Sequence, residues 1–365
     1  MKIFWCICIM LFTSVYIYGE EPKRVYGIWY NSYHSSLQCK EEVDRPLIAQ
    51  HLQTFHDMGI NRIYYLVKFP TGHVFYNSKI APKYNNLDWD PFRFIIQECK
   101  KLGIQVYPYI NVLCKGQEVG FTDAKDEKNI FGPYLKQHPD QCMVRNTGEL
   151  TGWVSPRLKK VQQRTLDIID EIIDNYEIDG FQLDRFRYPD TSVDYQPETV
   201  AQYKAQYNVE PNQKDYRWTK FRQESLTNFL RILRQHLRKK APHLPLSVAV
   251  FPHPKTAPKY WMQNWPLWAR EGLVDEIASM AYARTLELLD TYVHEEQEAT
   301  PPNIPLVYGL SAYFSVITPE LLEQQIQVAL TQSPQGILFF SGFHILQPEF
   351  IPIVTKYGKL IQKQP

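Results

Sequence analysis

The sequence has no excess of charge of either sign. Its 40 lysine and arginine residues stand against 39 aspartate and glutamate residues, which gives a formal net charge of +1. A near-balanced charge argues against polyanion binding as the main function of the chain. Nucleic acid is therefore not an expected partner.

Cysteine is scarce, and motifs for metals or bound cofactors are missing. No pair of the six cysteines shows CxxC spacing, so a zinc site is not predicted. None of the 10 histidines forms an H-x-H or H-E-x-x-H pair, and the sequence has no P-loop and no G-x-S-x-G elbow. We predict neither a metal nor a cofactor, and leave open whether Cys114 and Cys142 pair.

A long apolar run occurs at the start of the chain. Lys2 precedes the run 3–18, Gly19 offers a small residue for cleavage, and polar sequence follows. We predict a signal peptide over 1–19 and an exported protein that is periplasmic, in the cell envelope or extracellular. The run is short for a spanning helix, so no stable membrane insertion is expected after cleavage. A retained N-terminal anchor is the alternative.

Strand and helix patterns alternate through the rest of the chain. Asp90 as N-cap, Pro91 in the first turn and Gly103 after the last turn delimit the clearest helix. A long loop is expected over about 113–154, and a helical hairpin-like insertion over 197–241. The predicted strands are 25–30, 62–67, 104–112, 180–184, 246–251, 276–281, 306–310 and 336–340.

This alternation predicts an α/β protein with a parallel sheet, because helices cover both faces of such strands. Eight strand–helix units fit a (β/α)8 TIM barrel with long βα loops, as a single domain over 20–365. The alternative is a doubly wound open sheet. The count of eight and the absence of GxGxxG after the first strand disfavour it.

Function in a barrel of this kind is expected at the carboxyl ends of the strands. The residues there are mainly aromatic or hydrogen-bonding, which suits the faces and hydroxyls of sugar rings and predicts a polysaccharide or oligosaccharide substrate. The predicted substrate-binding residues are Trp29, Asn31, Lys68, Tyr109, Asn111, Arg187, Tyr188, His253, Tyr282 and His344.

The fourth predicted strand ends in an acid, Asp184, with Arg185 and Arg187 directly after it. A buried strand rarely ends in a charge without a reason, and at this end of a barrel strand the usual reason is catalysis or ligand binding. We predict Asp184 at the reaction centre. The structural alternative is an ion pair with Arg187 or Arg62.

Short sequence blocks that are typical of one protein family occur over nearly the whole chain after residue 19. They are 26–29, 74–78 with Pro82, 90–91, 101–106, 153–156, 268, 271–275 and 280–282, and the most specific runs from 176 through Asp184 to 187–189. Together they resemble the family-10-like glycosyl hydrolase (GHL10-type) domain of bacterial envelope proteins. The resemblance implies a barrel that cuts glycan strands, including those of peptidoglycan, with Asp184 as the strand-four acid. Many members have a second acid where this chain has Arg185, and often His and Trp where it has Tyr107 and Tyr109.

A comparison with family 18 chitinases excludes their mechanism. Their strand-four pattern, D-G-x-D-x-D-x-E, overlays Asp179, Gly180, Gln182, Asp184 and Phe186. The position of the acid-donating glutamate is therefore occupied by Phe186, which has no proton to give.

Glycoside hydrolysis ordinarily needs two carboxylates, about 5 Å apart for retention or roughly 6.5–9.5 Å for inversion. Asp184 supplies one, as nucleophile or base. The second must come from a loop, and among Glu118, Asp190, Asp194, Glu287 and Asp290 we select Glu287.

The sequence thus predicts an exported glycoside hydrolase that acts on a bacterial envelope polysaccharide. A catalytically silent glycan-binding barrel is the alternative, because the second carboxylate is not identified at a strand end. A metal-dependent deacetylase is disfavoured by the missing ligand pattern. The oligomeric state, the sugar and the linkage are left open.

Overall fold

The computed structural model describes residues 24–31, 38–116, 131–332 and 335–362, and these ranges contain a closed barrel of eight parallel strands. Two further strands, β4 and β5, form a separate antiparallel hairpin. The strands are β1 (Val25–Tyr30), β2 (Arg62–Lys68), β3 (Gln105–Asn111), β4 (Cys142–Val144), β5 (Leu150–Val154), β6 (Phe181–Asp184), β7 (Leu246–Val250), β8 (Glu276–Ser279), β9 (Leu306–Ser311) and β10 (Gly336–Phe340).

The barrel strands follow one another in chain order, and β10 pairs with β1 to close the ring. Helices lie between them, so the predicted (β/α)8 fold is confirmed. The helices are α1 (Glu41–Asp57), α2 (Pro91–Leu102), α3 (Pro133–Gln137), α4 (Lys159–Asn175), α5 (Pro197–Tyr207), α6 (Tyr216–Lys240), α7 (Ala257–Trp261), α8 (Trp265–Arg270), α9 (Leu286–Ala299), α10 (Pro319–Gln332), α11 (Gly342–Ile345) and α12 (Ile351–Gln362).

Local signals explain where the clearest helix begins and ends. The side chain of Asp90 accepts a hydrogen bond from the Arg93 amide at 3.0 Å, and Pro91 occupies the first turn of α2. Gly103 ends the helix in the left-handed conformation at φ 69°, which glycine adopts without strain.

The described residues form three buried apolar clusters. The largest lies between the strands and the surrounding helices, a second fills the barrel itself, and a small third one packs α5 against α6. Gly309 leaves room for the largest interior side chain, because a Cβ at that position would lie 2.5 Å from the ring of Trp29. The buried residues inside the barrel include Val25, Trp29, Tyr64, Leu66, Tyr107, Tyr109, Ala249, Ala278, Val307 and Leu338.

A buried ion pair closes the amino-terminal end of the barrel. Arg62 donates to the carboxylate of Glu276 at 2.7 Å, and the Tyr64 hydroxyl donates to the same carboxylate at 2.5 Å. The guanidinium of Arg62 also lies 4.3 Å from the ring centre of Tyr107. This cluster answers one alternative from the sequence, since the partner of Arg62 is Glu276 at the opposite end of the barrel from Asp184.

The segment expected to be a loop over 113–154 contains regular structure. Within its described residues, helix α3 and the β4–β5 hairpin follow one another, and Cys114 pairs with Trp153 in an isolated antiparallel bridge. Cys114 and Cys142 are both buried free thiols. The insertion over 197–241 consists of two helices, α5 and α6, as the hairpin prediction expected.

The predicted signal segment, 1–19, lies outside the described residues. Among the helices that the structure does describe, none has the length and apolar character needed to cross a membrane.

Candidate active site

A cavity of about 320 Å³ lies at the carboxyl ends of the barrel strands. Its wall is mostly aromatic, and one carboxylate and two guanidinium groups reach it. The lining residues are Trp29, Tyr109, Asp184, Arg185, Arg187, Ala249, Phe251, Met280, Tyr282, Tyr313, Phe314 and Phe340. Seven of the eight barrel strands, or the one to three residues that follow them, contribute to this list.

Asp184 is the last residue of β6 and faces this cavity. The chain turns sharply after it, because Arg185 adopts a left-handed conformation with φ 48°. This turn brings the Arg185 amide to 2.6 Å from Oδ1 of Asp184. The backbone carbonyl of Asp184 accepts from the Val112 amide at 2.9 Å, which ties the strand end to the neighbouring strand. The carboxylate is therefore held in a defined position while it stays partly accessible.

Burial and the negative charge of Asp184 together raise the pKa of two nearby tyrosine hydroxyls. Burial raises the pKa of Tyr109 above its ordinary value, and the nearby Asp184 carboxylate raises it further. The pKa of Tyr282 is raised by the same two causes, burial first and Asp184 second. Both phenols therefore stay protonated at neutral pH, and each has a proton to donate in a hydrogen bond.

Arg187 is held between two aromatic rings. Its guanidinium carbon lies 5.0 Å from the ring centre of Trp153 and 4.9 Å from that of Phe251. A hydrogen bond from Nη1 to the Tyr188 carbonyl, at 3.3 Å, adds a third contact. A planar guanidinium stacks well on aromatic faces, so these contacts limit how far Arg187 can move from the cavity.

The aromatic wall is fixed from below by a buried polar chain. Trp29 Nε1 donates to Gln182 Oε1 at 2.7 Å, and Gln182 Nε2 donates to Ser247 Oγ at 3.0 Å. Tyr282 packs edge to face against Trp29 at 6.1 Å and stacks on Phe340 at 5.0 Å. These contacts hold the three rings together as one apolar part of the cavity wall.

The family of the chain is decided by a sequence comparison. The family described as "Glycosyl hydrolase-like 10" matches residues 24–325, which include the whole β1–β9 part of the barrel and every strand-end residue of the cavity up to Phe314. The chain belongs to this family. The resemblance inferred from the sequence blocks is therefore confirmed.

Two curated proteins are similar in sequence to parts of this glycosyl hydrolase-like 10 protein. "Glycosyl hydrolase DigH" of Escherichia coli strain K12 is 25% identical over 198 residues, which is 47% of this chain and 44% of that protein. An "S-layer-related protein" of Niallia circulans is 23% identical over 182 residues, 43% of this chain and 11% of that protein. The chain thus matches less than half the length of either relative.

The fold of this family member is also found among solved structures. The glycoside hydrolase domain of PgaB (BpsB) from Bordetella bronchiseptica superposes with a TM-score of 0.69 and 15% identity, over 92% of this chain and 98% of that one. The catalytic domain of a β-amylase from Paenibacillus polymyxa gives 0.66 and 12%, over 93% and 98%. At these identities the likeness shows the barrel fold alone.

Four predicted substrate-binding residues of the glycosyl hydrolase-like 10 barrel line the cavity: Trp29, Tyr109, Arg187 and Tyr282. Lys68 and Asn111 do not. They are buried and bind each other, with Lys68 Nζ donating to the Asn111 carbonyl at 2.5 Å and Asn111 Nδ2 donating to the Lys68 carbonyl at 3.0 Å. Burial lowers the pKa of Lys68 to about 8. The register of the β2–β3 pairing shifts between Leu66 and Lys68, so the simple alternation of side chains along β2 does not extend to Lys68.

Tyr188 is fully buried beneath the loop that follows β6. Its hydroxyl donates to Asp194 at 2.8 Å, and Gln196 donates to the same carboxylate at 2.7 Å. Phe186 is buried as well, against Phe229 and Trp268. In this family member both aromatics hold the loop in place instead of lining the cavity.

The remaining predicted binding residues do not line the cavity. His253 shares a hydrogen bond of 2.9 Å with Glu295 and packs against Tyr292. His344 shares one of 2.8 Å with Ser341, and its ring meets that of Tyr313, a lining residue, at 5.0 Å. Asn31 is half-buried at the end of β1.

Glu287, the predicted second acid, does not line the cavity. It is fully exposed in the first turn of α9. A hydrogen bond from its own backbone amide and one from Thr285 lower its pKa below the ordinary value. Because a general acid needs a raised pKa, the position suits helix capping and not proton donation.

Several lining residues were absent from the predicted binding set. Met280 directly follows β8 and Phe340 ends β10, and strict alternation continued along those strands would have selected them. Phe251 follows β7 in the same phase. Trp153 contacts Arg187 without lining the cavity itself. It had no such signal, because it approaches from the β4–β5 hairpin, outside the barrel strands.

Proposed function

We propose that this protein is a glycoside hydrolase of the bacterial envelope, with Asp184 as nucleophile or base. The polysaccharide it acts on is of the peptidoglycan glycan-strand type. The observation that supports this proposal most directly is the position of Asp184 in a cavity with an aromatic wall at the carboxyl ends of the barrel strands. The family membership and the names of the two curated relatives point the same way.

Each part of the cavity has a task in such a reaction. The rings of Trp29, Tyr282 and Phe340 offer apolar faces on which a pyranose ring packs. Arg187 and the protonated hydroxyl of Tyr109 donate hydrogen bonds to sugar oxygens. Asp184, steadied by the Arg185 amide, attacks the anomeric carbon or takes a proton from the attacking water.

The second carboxylate of the reaction, the general acid, would have to be one of the acids in the loops. Within the described residues, Asp184 is the one acid that lines the cavity. Asp194 is buried under Tyr188. Burial would raise the pKa of Asp190, but hydrogen bonds from Ser192 and Arg145 lower it below its ordinary value. Neither acid, nor Glu287, suits the donor role, and Glu118 lies outside the described residues.

The test is an assay for new reducing ends on glycan strands stripped of their peptides. The wild-type chain is expected to release them, and Asp184→Asn is expected to lower kcat by about 10²–10⁴-fold. Glu287→Gln is the matched control and should retain activity, since that carboxylate is solvated. Both variants should melt near the wild-type temperature. A large loss of stability in Asp184→Asn would support the structural ion pair instead.

A silent glycan-binding barrel is the second candidate, and one observation favours it. The cavity contains a single carboxylate among the described residues, whereas hydrolysis ordinarily uses two. Binding of the same strands without any new reducing ends would establish this reading and contradict the hydrolase.

A further inference from the structure

A second, larger hollow lies beside the cavity, between the helical insertion and α7. It has a volume of about 1430 Å³. Its walls come from the β4–β5 turn, the loop after β6, the α5–α6 connection and the segment 255–264. The cavity is near the lower limit for a drug-sized ligand, so a polymer bound there must continue outside it. We call the larger hollow the insertion groove.

Hydrogen bonds between its walls give the insertion groove a defined shape. Gln213 donates to Thr191 at 2.8 Å and accepts from Asn146 at 3.0 Å, which joins three separate loops. Gln223 on α6 donates to the Pro258 carbonyl at 2.7 Å, which joins the insertion to α7. These contacts connect segments far apart in the sequence, as a preformed binding surface requires.

A run of aromatic rings connects the insertion groove to the cavity. Phe251 lines the cavity and stacks on Trp261, with ring centres 4.0 Å apart. Trp261 in turn meets Tyr260, a groove residue, at 6.0 Å. Tyr260 and Tyr216 are 46% and 72% exposed, so both present aromatic surface to a ligand. Exposed aromatic rings that connect through ring contacts to an aromatic-walled cavity suit a chain of sugars.

The charge of the insertion groove is positive. Three exposed lysines, Lys214, Lys255 and Lys259, line it, and none forms an ion pair with a residue in the described part of the chain. Among the described residues that line the groove, the acid is Glu210, and an ion pair with Lys204 neutralises it. The whole chain has a net charge of only +1, so this excess is local. Unpaired lysines along a groove attract an anionic ligand.

We propose that the insertion groove binds the continuation of the substrate chain, and that this chain is an anionic, carboxylate-bearing polysaccharide. The inference rests on the proposed function, because it takes the ligand to be a polysaccharide that reaches the cavity. The lysines contact the carboxylates, and Tyr216 and Tyr260 pack against the sugar faces.

The test measures affinity in the Asp184→Asn background, where turnover does not remove the ligand. The probes are peptide-free strands of alternating N-acetylglucosamine and N-acetylmuramic acid, and the same strands after reduction of their carboxyl groups. Lys255→Gln with Lys259→Gln is expected to weaken binding of the carboxylated strands roughly five- to tenfold, and to leave the reduced strands nearly unaffected. Added salt should remove the difference.

The matched control is Lys159→Gln with Lys239→Gln, two exposed lysines on α4 and α6 outside the groove. This control should bind both probes like the parent. An equal loss on both probes, an equal loss in the control, or no loss at all would overturn the groove assignment.

The two proposals fail in different ways. If Asp184→Asn binds carboxylated strands through the groove lysines but the wild-type chain releases no reducing ends, hydrolysis is wrong and the groove stands. If the wild-type chain cleaves the strands and the groove variants cleave them with unchanged KM, the groove assignment is wrong and the hydrolase stands.

Discussion

The indole nitrogen of Trp29 donates a hydrogen bond to the side-chain oxygen of Gln182, 2.7 Å away inside the barrel. The two residues are 153 positions apart in the chain. This bond links Trp29, near the end of β1, to Gln182 in the middle of β6. The Trp29 ring, which forms part of the cavity wall, is therefore oriented by the strand that ends in Asp184.

Replacing Gln182 tests that link. Gln182→Met keeps the approximate shape but removes the acceptor, so the buried indole N–H of Trp29 is left unsatisfied. We expect a loss of about 1–3 kcal/mol in the free energy of unfolding. Denaturant unfolding measures it, with Gln163→Met on the exposed face of α4 as control. Equal stability of the two variants would show that the bond contributes nothing.

The ion pair at the barrel floor gives a second prediction. Glu276→Gln leaves the guanidinium of Arg62 buried without its counter-charge, which is expected to cost about 3–5 kcal/mol of stability. The exposed pair of Glu41 with Arg45 is the control, and Glu41→Gln should cost at most about 0.5 kcal/mol.

The same variant separates stability from activity. Glu276 lies at the amino-terminal end of the barrel, away from Asp184. At a temperature well below its melting point, folded Glu276→Gln protein should therefore cleave glycan with the wild-type kcat and KM. If the barrel only binds glycan, the variant should bind it with the wild-type affinity. A selective fall in kcat without loss of stability would contradict a purely structural role.

Glu296 predicts a dependence of stability on pH. It is fully buried on α9, and Ser279 donates to it at 2.7 Å. Burial raises its pKa from 4.5 to about 8, against the opposing effect of Ser279. The folded state thus holds a proton that the unfolded state releases above pH 4.5. The contribution of Glu296 is complete below about pH 4.5 and is lost as the pH rises towards 8.

Glu296→Gln mimics the protonated acid at every pH. Relative to this variant, the wild-type chain should lose on the order of a few kcal/mol in unfolding free energy between pH 5 and pH 8. Unfolding curves at several pH values measure the difference, and Glu349→Gln at an exposed position is the control. Parallel pH profiles for the wild type and Glu296→Gln would sink this assignment.

Trp153 predicts an effect on ligand binding that passes through Arg187. Trp153→Leu removes one of the two rings that hold the Arg187 guanidinium. The lost cation–π contact is worth about 0.5–2 kcal/mol. Glycan affinity should fall by about two- to thirtyfold. Trp89→Leu is the matched control, since Trp89 is equally buried but packs against Phe94 beside α2.

The two tryptophan variants are compared at equal folded fraction. A fall in affinity that occurs in both would mean that general loosening of the protein is responsible. A fall in Trp153→Leu alone, accompanied by no further loss in the double variant with Arg187→Ala, supports action through Arg187.

The barrel itself could be predicted because its signals are local. Every barrel strand was placed to within two residues at either end, since each is a short apolar run bounded by turn residues. Asp184 at the end of β6 followed from the same reasoning. The facing of Lys68 could not be predicted, because the register shift between Leu66 and Lys68 interrupts the simple alternation of side chains.

The sequence by itself determined which segments become strands and helices, that they close into a barrel, and that Asp184 stands at a strand end. Only the tertiary structure decided which of the neighbouring polar groups share a space with that carboxylate. It brought Trp153 and Phe251 to Arg187, turned Tyr188 into the loop core, and placed Glu287 in solvent. The physical reason is that secondary structure depends on nearest neighbours along the chain, whereas a cavity is built from contacts between residues distant in sequence.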